Sequence, residues 1–275
     1  MNDENAPAIP VPDVEWWLGA WSEREKALTE AYGESLPPGA PPGTVVSMPP
    51  ELQGEGRVPG GSIYMFPPKP EAKRPHWYFA TLGLSQPIRK EDVPSFSPDS
   101  PAPSRFGLEW AIAVKEPANW AVIALFSLAQ FALKPPAPIK PGARMPFLFA
   151  KPKADPEATL ENLVPVLGTL PRDYTPAGEI VSLLLWPALD RDGPFVTETG
   201  RFDLLVATGI TQDEWELAKG TSSLHLLRLL LEVGDGQATD PLRKSALASE
   251  EGKAAWGRIA ALSRDAILDG LYGPA

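Results

Sequence analysis

The sequence contains no cysteine and only two histidines among its 275 residues. A chain without cysteine forms no disulfide bond, and it offers neither a thiolate metal ligand nor a cysteine nucleophile. The histidines, His76 and His225, are far apart in the sequence, so a zinc site with the usual number of ligands is not expected. We therefore predict that the protein uses no metal ion and no cofactor.

Motifs that carry catalytic chemistry are also missing. The chain has neither of the glycine-rich phosphate-loop patterns and no G-x-S-x-G nucleophile elbow. The segment Asp190-Arg-Asp192-Gly193 resembles the start of a calcium loop, but Glu198 comes too early for the twelve-residue pattern, so we interpret the segment as a turn. We expect no catalytic residue and predict that the protein is not an enzyme. An enzyme with an unrecognised site remains an alternative.

Positive charge is scarcer than negative charge. The chain has 25 Lys and Arg against 35 Asp and Glu, a formal net charge of −10. Nucleic-acid binding rests on a basic face that displaces counterions from phosphates, so a nucleic-acid partner is not expected. An acidic surface attracts basic proteins instead, and the predicted partner is another protein, of basic character.

Long apolar segments are lacking as well. The longest apolar run, residues 120–133, contains Ser127 and Gln130 and is shorter than the roughly 20 residues that a membrane-spanning helix needs. Residues 1–12 lack the basic start and apolar core of a signal peptide. We therefore expect a cytoplasmic protein that does not contact a membrane.

What the sequence does have is proline, with 34 residues, and clear hydrophobic periodicity between the proline-rich stretches. Because proline lacks a backbone donor, we interpret the stretches 37–50, 67–75, 94–103 and 135–156 as loops. A first helix is predicted from Asp13 as cap to Gly33 as stop, with one apolar stripe formed by Val14, Trp17, Leu18, Trp21, Leu28 and Tyr32. Trp16 points about 160° from that stripe and is either a contact for a partner or covered by a second layer.

Strands are predicted at residues 44–48, 62–66, 77–82, 107–115, 145–150, 163–167, 180–185 and 202–208. In the fourth, Leu108, Trp110, Ile112 and Val114 alternate with Glu109, Ala111, Ala113 and Lys115, which indicates a sheet covered on one face only. Because Glu109 shares its face with two alanines, we expect it to be buried against a backbone donor or a basic side chain.

Four further helices follow from capping and periodicity. Pro117 begins a helix to about residue 133 that is apolar almost all round and should be deeply buried. Thr211 and Glu214 form a capping box for a helix through residue 219, and a leucine-rich helix occupies residues 222–233. Ser249 caps one last helix, with Trp256, Ile259, Ala260 and Ile267 on one face.

These elements are interspersed without strict alternation, which predicts an α/β (α+β) fold: a mixed β-sheet flanked by helices. We divide the chain into an N-terminal amphipathic helix packing on the domain (residues 1–34), a main domain (35–235) and a C-terminal helical extension (236–275).

One segment resembles a known family. Pro75-His-Trp-Tyr-Phe-Ala-Thr-Leu-Gly-Leu-Ser85 is similar to the His-Trp-His-Tyr-x-Thr/Ser-Phe/Tyr-Gly-Leu-Ser signature of the suppressor-of-fused family. Weaker resemblances follow in the family's order at residues 105–114, 117–131, 200–217 and 226–230. The signature's second histidine is replaced by Tyr78 or Phe79, and residues 88–104 do not match. We interpret the matching residues as mainly structural: His76, Trp77, Gly83, Gly107 and Trp120.

The resemblance, to the bacterial single-domain type, implies protein binding. Animal members bind and sequester Gli-type transcription factors and carry an additional C-terminal domain, whereas bacterial members are similar to immunity proteins of toxin systems. The leading hypothesis is therefore an immunity-type protein that neutralises a toxin domain, and the alternative is an intracellular regulatory scaffold for an endogenous signalling or transcription protein. The candidate partner contacts are Trp16, Asp99, Arg105 and Glu109.

Overall fold

The computed structural model describes residues 14–33, 62–70, 74–85, 87–88, 103–132, 139–155 and 157–272. Within these ranges the chain forms six α-helices: α1 (Val14–Tyr32), α2 (Asn119–Ala132), α3 (Gln212–Gly220), α4 (Ser223–Val233), α5 (Glu250–Ile259) and α6 (Arg264–Tyr272). It also forms nine strands: β1 (Ser62–Phe66), β2 (Trp77–Leu82), β3 (Pro103–Val114), β4 (Arg144–Pro152), β5 (Val164–Leu167), β6 (Tyr174–Pro176), β7 (Ile180–Pro187), β8 (Phe195–Thr197) and β9 (Gly200–Thr211). The strand predicted at residues 44–48 lies outside the described residues.

The strands form one mixed sheet in the order β1-β2-β3-β9-β7-β4-β5, with β6 paired to β4 and β8 paired to β9. The β3–β9 pair is parallel, and the other strand pairs are antiparallel. The predicted fold class, a mixed sheet flanked by helices, is therefore confirmed. Strand β3 lies in the interior of the sheet, next to the middle strand β9. It begins earlier than predicted, at Pro103, because a bulge between Pro103 and Leu108 carries the chain into register with β9.

Both faces of strand β3 are buried, so the prediction of a sheet covered on one face only was wrong. Trp110 and Ile112 face a core shared with α2, while Ala111 and Ala113 face a second core shared with α1. The alanines are small because aromatic rings from neighbouring elements, including Tyr32 and Tyr78, fill the space above this face. The alanines of β3 therefore indicate a densely packed face of the strand and not a solvent-exposed one.

Helix α2 lies on the first face of the sheet and buries Trp120, Leu125 and Leu128 there. Its predicted bounds are confirmed, but its predicted deep burial is only partly right, because Ile123 and Phe131 on its outer side are exposed. A single layer of sheet covers only one side of a helix, whatever the helix's composition. Across the described residues, no helix combines the length and apolar character that crossing a bilayer requires.

Helix α1 covers the other face of the sheet, and its predicted start and its end at Gly33, with φ of 86°, are confirmed. Leu28 and Tyr32 are buried there, as their spacing predicts. Leu18 was placed wrongly on the buried stripe: it is exposed and lies at the mouth of a small cavity that Ser62, Tyr64 and Leu82 also line.

The C-terminal helices cover the same face farther along β9. A third core joins Leu184 and Ile210 of the sheet to leucines of α4 and to Ala255 and Ile259 of α5. The single last helix of the prediction is in fact two, α5 and α6. The break occurs because the Ser263 hydroxyl accepts a hydrogen bond from the backbone N–H of Ala266, 3.2 Å away, and so begins a new helix.

Helix α5 provides a matched test of this packing, because it contains two glycines in different surroundings. A Cβ built on Gly252 would lie 1.7 Å from the carbonyl oxygen of Ala246, whereas one built on Gly257 meets nothing within 4 Å. We expect Gly252→Ala to lower the free energy of unfolding by at least about 2 kcal/mol through overpacking. Gly257→Ala should raise it by up to about 1 kcal/mol, because alanine favours the helix. Urea unfolding of both variants checks this, and equal effects would contradict the packing of α5.

Candidate functional site

A cleft of about 460 Å³ opens where four separate parts of the chain meet. Its walls come from the residues that lead into β2, the turn that follows β7, the loop that follows α4, and the end of α6. Representative lining residues from these parts are His76, Asp190, Gln237 and Leu271. The first wall belongs to the segment that resembles the family signature, so the cleft joins that segment to the C-terminal helices.

Arg74 lies in the deepest part of this first wall and is 2% exposed. Its Nη2 donates to the carbonyl oxygens of Tyr32 at 2.6 Å and Pro67 at 3.0 Å. Its guanidinium carbon also lies 4.8 Å from the ring centre of Tyr32 and 5.7 Å from that of Tyr78, which are cation–π distances. Arg74 therefore links the C-terminal end of α1 to the segment that leads into β2.

The pKa values of two titratable groups in the cleft are shifted by their surroundings. Burial raises the pKa of Asp190 above its ordinary value, an effect that the nearby Arg74 charge opposes, and the Tyr32 hydroxyl donates to the Asp190 carboxylate at 3.3 Å. Burial lowers the pKa of His76, an effect that the nearby Asp235 charge opposes. Asp235 forms a salt bridge of 2.7 Å with Lys115 at the rim.

The loop that follows α4 is fixed to the sheet, which makes the cleft a preformed feature. Gln237 accepts a hydrogen bond from the backbone N–H of Leu189 at 2.9 Å and donates to the carbonyl of Pro187 at 3.0 Å. Thr239 donates its N–H to the carbonyl of Ala113 at 2.8 Å, beside a β-bridge between Ala113 and Ala238. The second and third walls are thus bound to each other and to β3.

Behind the cleft, a buried carboxylate fixes the end of the signature segment. Oε1 of Glu109 accepts the consecutive backbone N–H groups of Gly83, Leu84 and Ser85 at 2.9, 3.0 and 2.8 Å, and also the Ser85 hydroxyl at 2.6 Å. Oε2 accepts the Thr81 hydroxyl at 2.7 Å. Burial raises the pKa of Glu109, and these hydrogen bonds oppose that shift. The expected burial of Glu109 against backbone donors is confirmed.

A buried arginine on α1 contacts the same segment from the other side. Nε of Arg24 donates to the carbonyl of Ser85 at 2.7 Å, and Nη2 donates to the Ser104 hydroxyl at 2.7 Å and the Thr199 carbonyl at 2.9 Å. Nη1 donates to the hydroxyls of Thr197 and Thr199. Burial lowers the pKa of Arg24 to about 10, and the Glu109 charge opposes that shift. Because every group it contacts is internal, Arg24 holds α1 on the sheet.

Of the four candidate partner contacts from the sequence, the two whose side chains the structure describes, Trp16 and Glu109, do not line the cleft. Trp16 is half-buried on α1, with its ring centre 6.0 Å from that of Trp17. Glu109 is fully buried, so its carboxylate faces the protein interior and not a surface open to a partner. Arg105 belongs to β3, but its side chain is outside the described part, and Asp99 lies outside the described residues altogether.

The signature residues divide between the core and the cleft. Trp77 is half-buried against the core shared with α2, and Trp120 is buried there, with its ring edge-on to Phe149 at 4.9 Å. Gly83 donates to Glu109, and Gly107 has a φ of 63° in the β3 bulge, a backbone conformation that favours glycine. His76 alone of this group lines the cleft.

Sequence reasoning missed Arg24 and Arg74. Arg24 could have been found, because it follows Trp21 by three residues and precedes Leu28 by four, which places a charged residue on the buried stripe of α1. Arg74 gave no such signal, since it stands in a proline-rich stretch without periodicity. Across the described ranges, no group of three or more His, Asp or Glu side chains is arranged to hold a metal ion.

The Glu109 network predicts a graded response to substitution. Glu109→Leu leaves three backbone donors without an acceptor and should lower the free energy of unfolding by about 3–5 kcal/mol. Glu109→Gln keeps one carbonyl oxygen for the same donors, and we expect a loss of about 1–3 kcal/mol. Denaturant unfolding measures both, and a Gln variant as unstable as the Leu variant would argue against the donor cluster.

Arg24 and Lys26 form a matched pair, since each contributes one positive charge to α1. Arg24→Met should cost about 3 kcal/mol and expose α1 to chymotrypsin, because its hydrogen bonds are buried. Lys26→Met should change stability by less than about 0.5 kcal/mol, because Lys26 is exposed and only 3.7 Å from the exposed Glu30. Similar cleavage rates for the two variants would contradict the role given to Arg24.

Comparison with known proteins shows what the chain is similar to. It matches the crystal structure of Drosophila Suppressor of Fused with a TM-score of 0.57 and 17% identity, over 87% of this chain and 54% of that one, so it spans about half the Drosophila chain's length. It matches the Sufu-Fu complex crystal structure with a TM-score of 0.57 and 16% identity, over 86% and 96% of the two chains.

A suppressor-of-fused homologue from Neisseria gonorrhoeae FA 1090 has a TM-score of 0.47 and 13% identity, over 83% of this chain and 97% of that one. A search of the curated proteins finds no significant sequence match. The family model described as Suppressor of fused protein (SUFU) matches residues 59–244, more than half of the chain, and this chain therefore belongs to the suppressor-of-fused family.

Proposed function

We propose that this chain is a protein-binding module that sequesters or neutralises a partner protein, and that the cleft beside the signature segment is its contact surface. The observation that carries the proposal is the placement of His76. The signature segment, whose remaining residues serve mainly the fold, brings His76 to an open, preformed cleft, beside Pro75 and Tyr78 of the same segment. The proposal is supported by a similar protein of known structure, which was solved in the Sufu-Fu complex.

The chemistry of the cleft suits contact with a protein better than catalysis. Leu231 and Leu271 alternate around it with His76, Asp190 and Asp235, the mixture of apolar anchors and polar groups that is typical of protein interfaces. The polar groups are already engaged, since Asp190 accepts from Tyr32 and Asp235 pairs with Lys115. Side chains fixed in this way provide a shaped surface.

At a finer level, we propose an immunity-type protein that acts in the cytoplasm against a basic toxin domain. The support is the net charge of −10, which speeds the association of a basic partner by electrostatic steering. Steering of this kind weakens as salt shortens the Debye length. A partner encoded in a neighbouring reading frame would favour the toxin, whereas a partner from the cell's own signalling or transcription machinery would favour a regulatory scaffold.

The test uses two exposed leucines, of which only one lines the cleft. Leu231 is 37% exposed and lines the cleft, and Leu242 is 48% exposed and does not. We expect Leu231→Arg to weaken capture of the co-encoded partner by at least about tenfold, as truncation or reversal of a central anchor does. Leu242→Arg should leave capture unchanged.

The measurement is the equilibrium affinity of the purified partner for each variant, at low and at high salt. Equal affinities for the two variants would place the contact surface elsewhere on the molecule. An affinity that does not change with salt would argue against the basic partner while leaving the binding role intact.

A further inference from the structure

The last helix, α6, is held to the rest of the protein by little apolar contact. Only Ile267 among its residues is fully buried, while Leu268 and Leu271 are half-buried. Helix α5, of similar length, buries three residues: Gly252, Ala255 and Ile259. Elements with few buried apolar contacts open at a lower free energy than the core does.

Its polar contacts lie at the surface. Arg228 donates to the carbonyl of Gly270 at 2.8 Å, and the Trp186 indole N–H donates to the Tyr272 hydroxyl at 2.9 Å. The Nε2 atom of His225 lies 3.1 Å from the carbonyl of Leu262, just before α6 begins. Hydrogen bonds at exposed positions exchange with bonds to water at small net cost, so they fix the position of α6 without making it hard to remove.

The end of α6 lines two cavities. Gly270 and Leu271 line the cleft described above, and Tyr272 lines a smaller cavity of about 170 Å³ that also contains Arg191. The turn that follows β7 runs beneath both, because Asp190 lines the cleft and the adjacent Arg191 lines the smaller cavity. Displacement of α6 would therefore join the two cavities into one longer groove.

We propose that α6 is a displaceable strap over this groove, and that a helical segment of the partner protein takes its place. Because the partner's segment would replace α6, we expect it to resemble α6: an amphipathic helix with an aliphatic side chain at the position of Ile267 and a second one four residues later, as at Leu271. The strap occupies its own groove in cis, so it lowers the apparent affinity for the partner.

This inference deepens the proposed binding function and rests on it for the nature of the occupant. It does not rest on the family comparison, because α6 lies beyond the matched residues 59–244. The release of α6 is a property of this chain alone and is testable without any partner.

The first experiment is hydrogen exchange, followed by mass spectrometry, on the unmodified chain. We expect the backbone amides of α6 to exchange at least about tenfold faster than those of α4 and α5, because α6 opens by itself. Exchange of all three helices at one common rate would overturn the strap.

The second experiment uses a labelled peptide of residues 261–272 as the probe, measured by fluorescence anisotropy. The full-length Ile267→Asp variant should release α6 and bind the peptide. The unmodified chain should bind it at least about tenfold more weakly, because the tethered helix competes at an effective concentration on the order of millimolar.

Two controls accompany this experiment. Leu262→Asp introduces the same charge at an exposed leucine outside α6, and this variant should bind the peptide no better than the unmodified chain does. A peptide with Ile267→Asp should bind to none of the proteins. Absence of peptide binding to a folded Ile267→Asp chain would overturn the groove, and if that variant fails to fold, the exchange experiment on the unmodified chain still decides.

The two proposals fail separately. An opening α6 in a chain that captures no partner would remove the binding function and leave the strap. If the chain captures a partner while α6 stays closed, the strap proposal is wrong and the proposed binding function stands.

Discussion

The fold depends on one polar junction in its interior, where a carboxylate and a guanidinium both form hydrogen bonds with the same turn. Three consecutive N–H groups from Gly83 to Ser85 converge on one oxygen of Glu109, and the carbonyl of Ser85 accepts from Arg24. A charge is buried at this depth only where hydrogen bonds replace its hydration. Glu109 and Arg24 both depend on this turn, which supplies hydrogen bonds to each of them in the interior.

This junction connects parts of the chain that are remote in sequence. Glu109 belongs to β3, the turn follows β2, Arg24 lies on α1, and its remaining acceptors include Thr199 at the turn between β8 and β9. Hydrophobic contacts alone would tolerate small slips of α1 along the sheet, since they are not directional. The N–H donors of the Arg24 guanidinium have fixed directions, so their hydrogen bonds fix the position of α1 on the sheet. Arg74 donates to the carbonyl of Tyr32 at the end of the same helix, so α1 is held at Arg24 and again at Tyr32.

The sequence predicted most of the elements and little of their environment. Alternation in β3 and the capping signals of α3 and α5 identified strands and helices, because these patterns depend on local geometry. What failed was burial: Ala111 and Ala113 lie under aromatic rings, and Ile123 on α2 is exposed. Burial depends on which elements become neighbours, and a single sequence does not carry that information locally. The cleft could not be predicted for the same reason, since its walls come from distant segments. Of its lining residues, only His76 stood among the signature and candidate contact residues, and Asp190 had been interpreted as part of a turn.

The alternation of β2 explains how one short signature serves both fold and surface. Successive side chains of an extended segment point to opposite faces, so Trp77 and Phe79 enter the core shared with α2, while Tyr78 turns to the opposite face. His76 and Tyr78 reach the cleft from that face. The packing of Trp77 and Phe79 in the core fixes the backbone of this segment, and with it the position from which His76 reaches the cleft. A substitution at His76 therefore changes the surface of the cleft without removing the packing of Trp77 and Phe79.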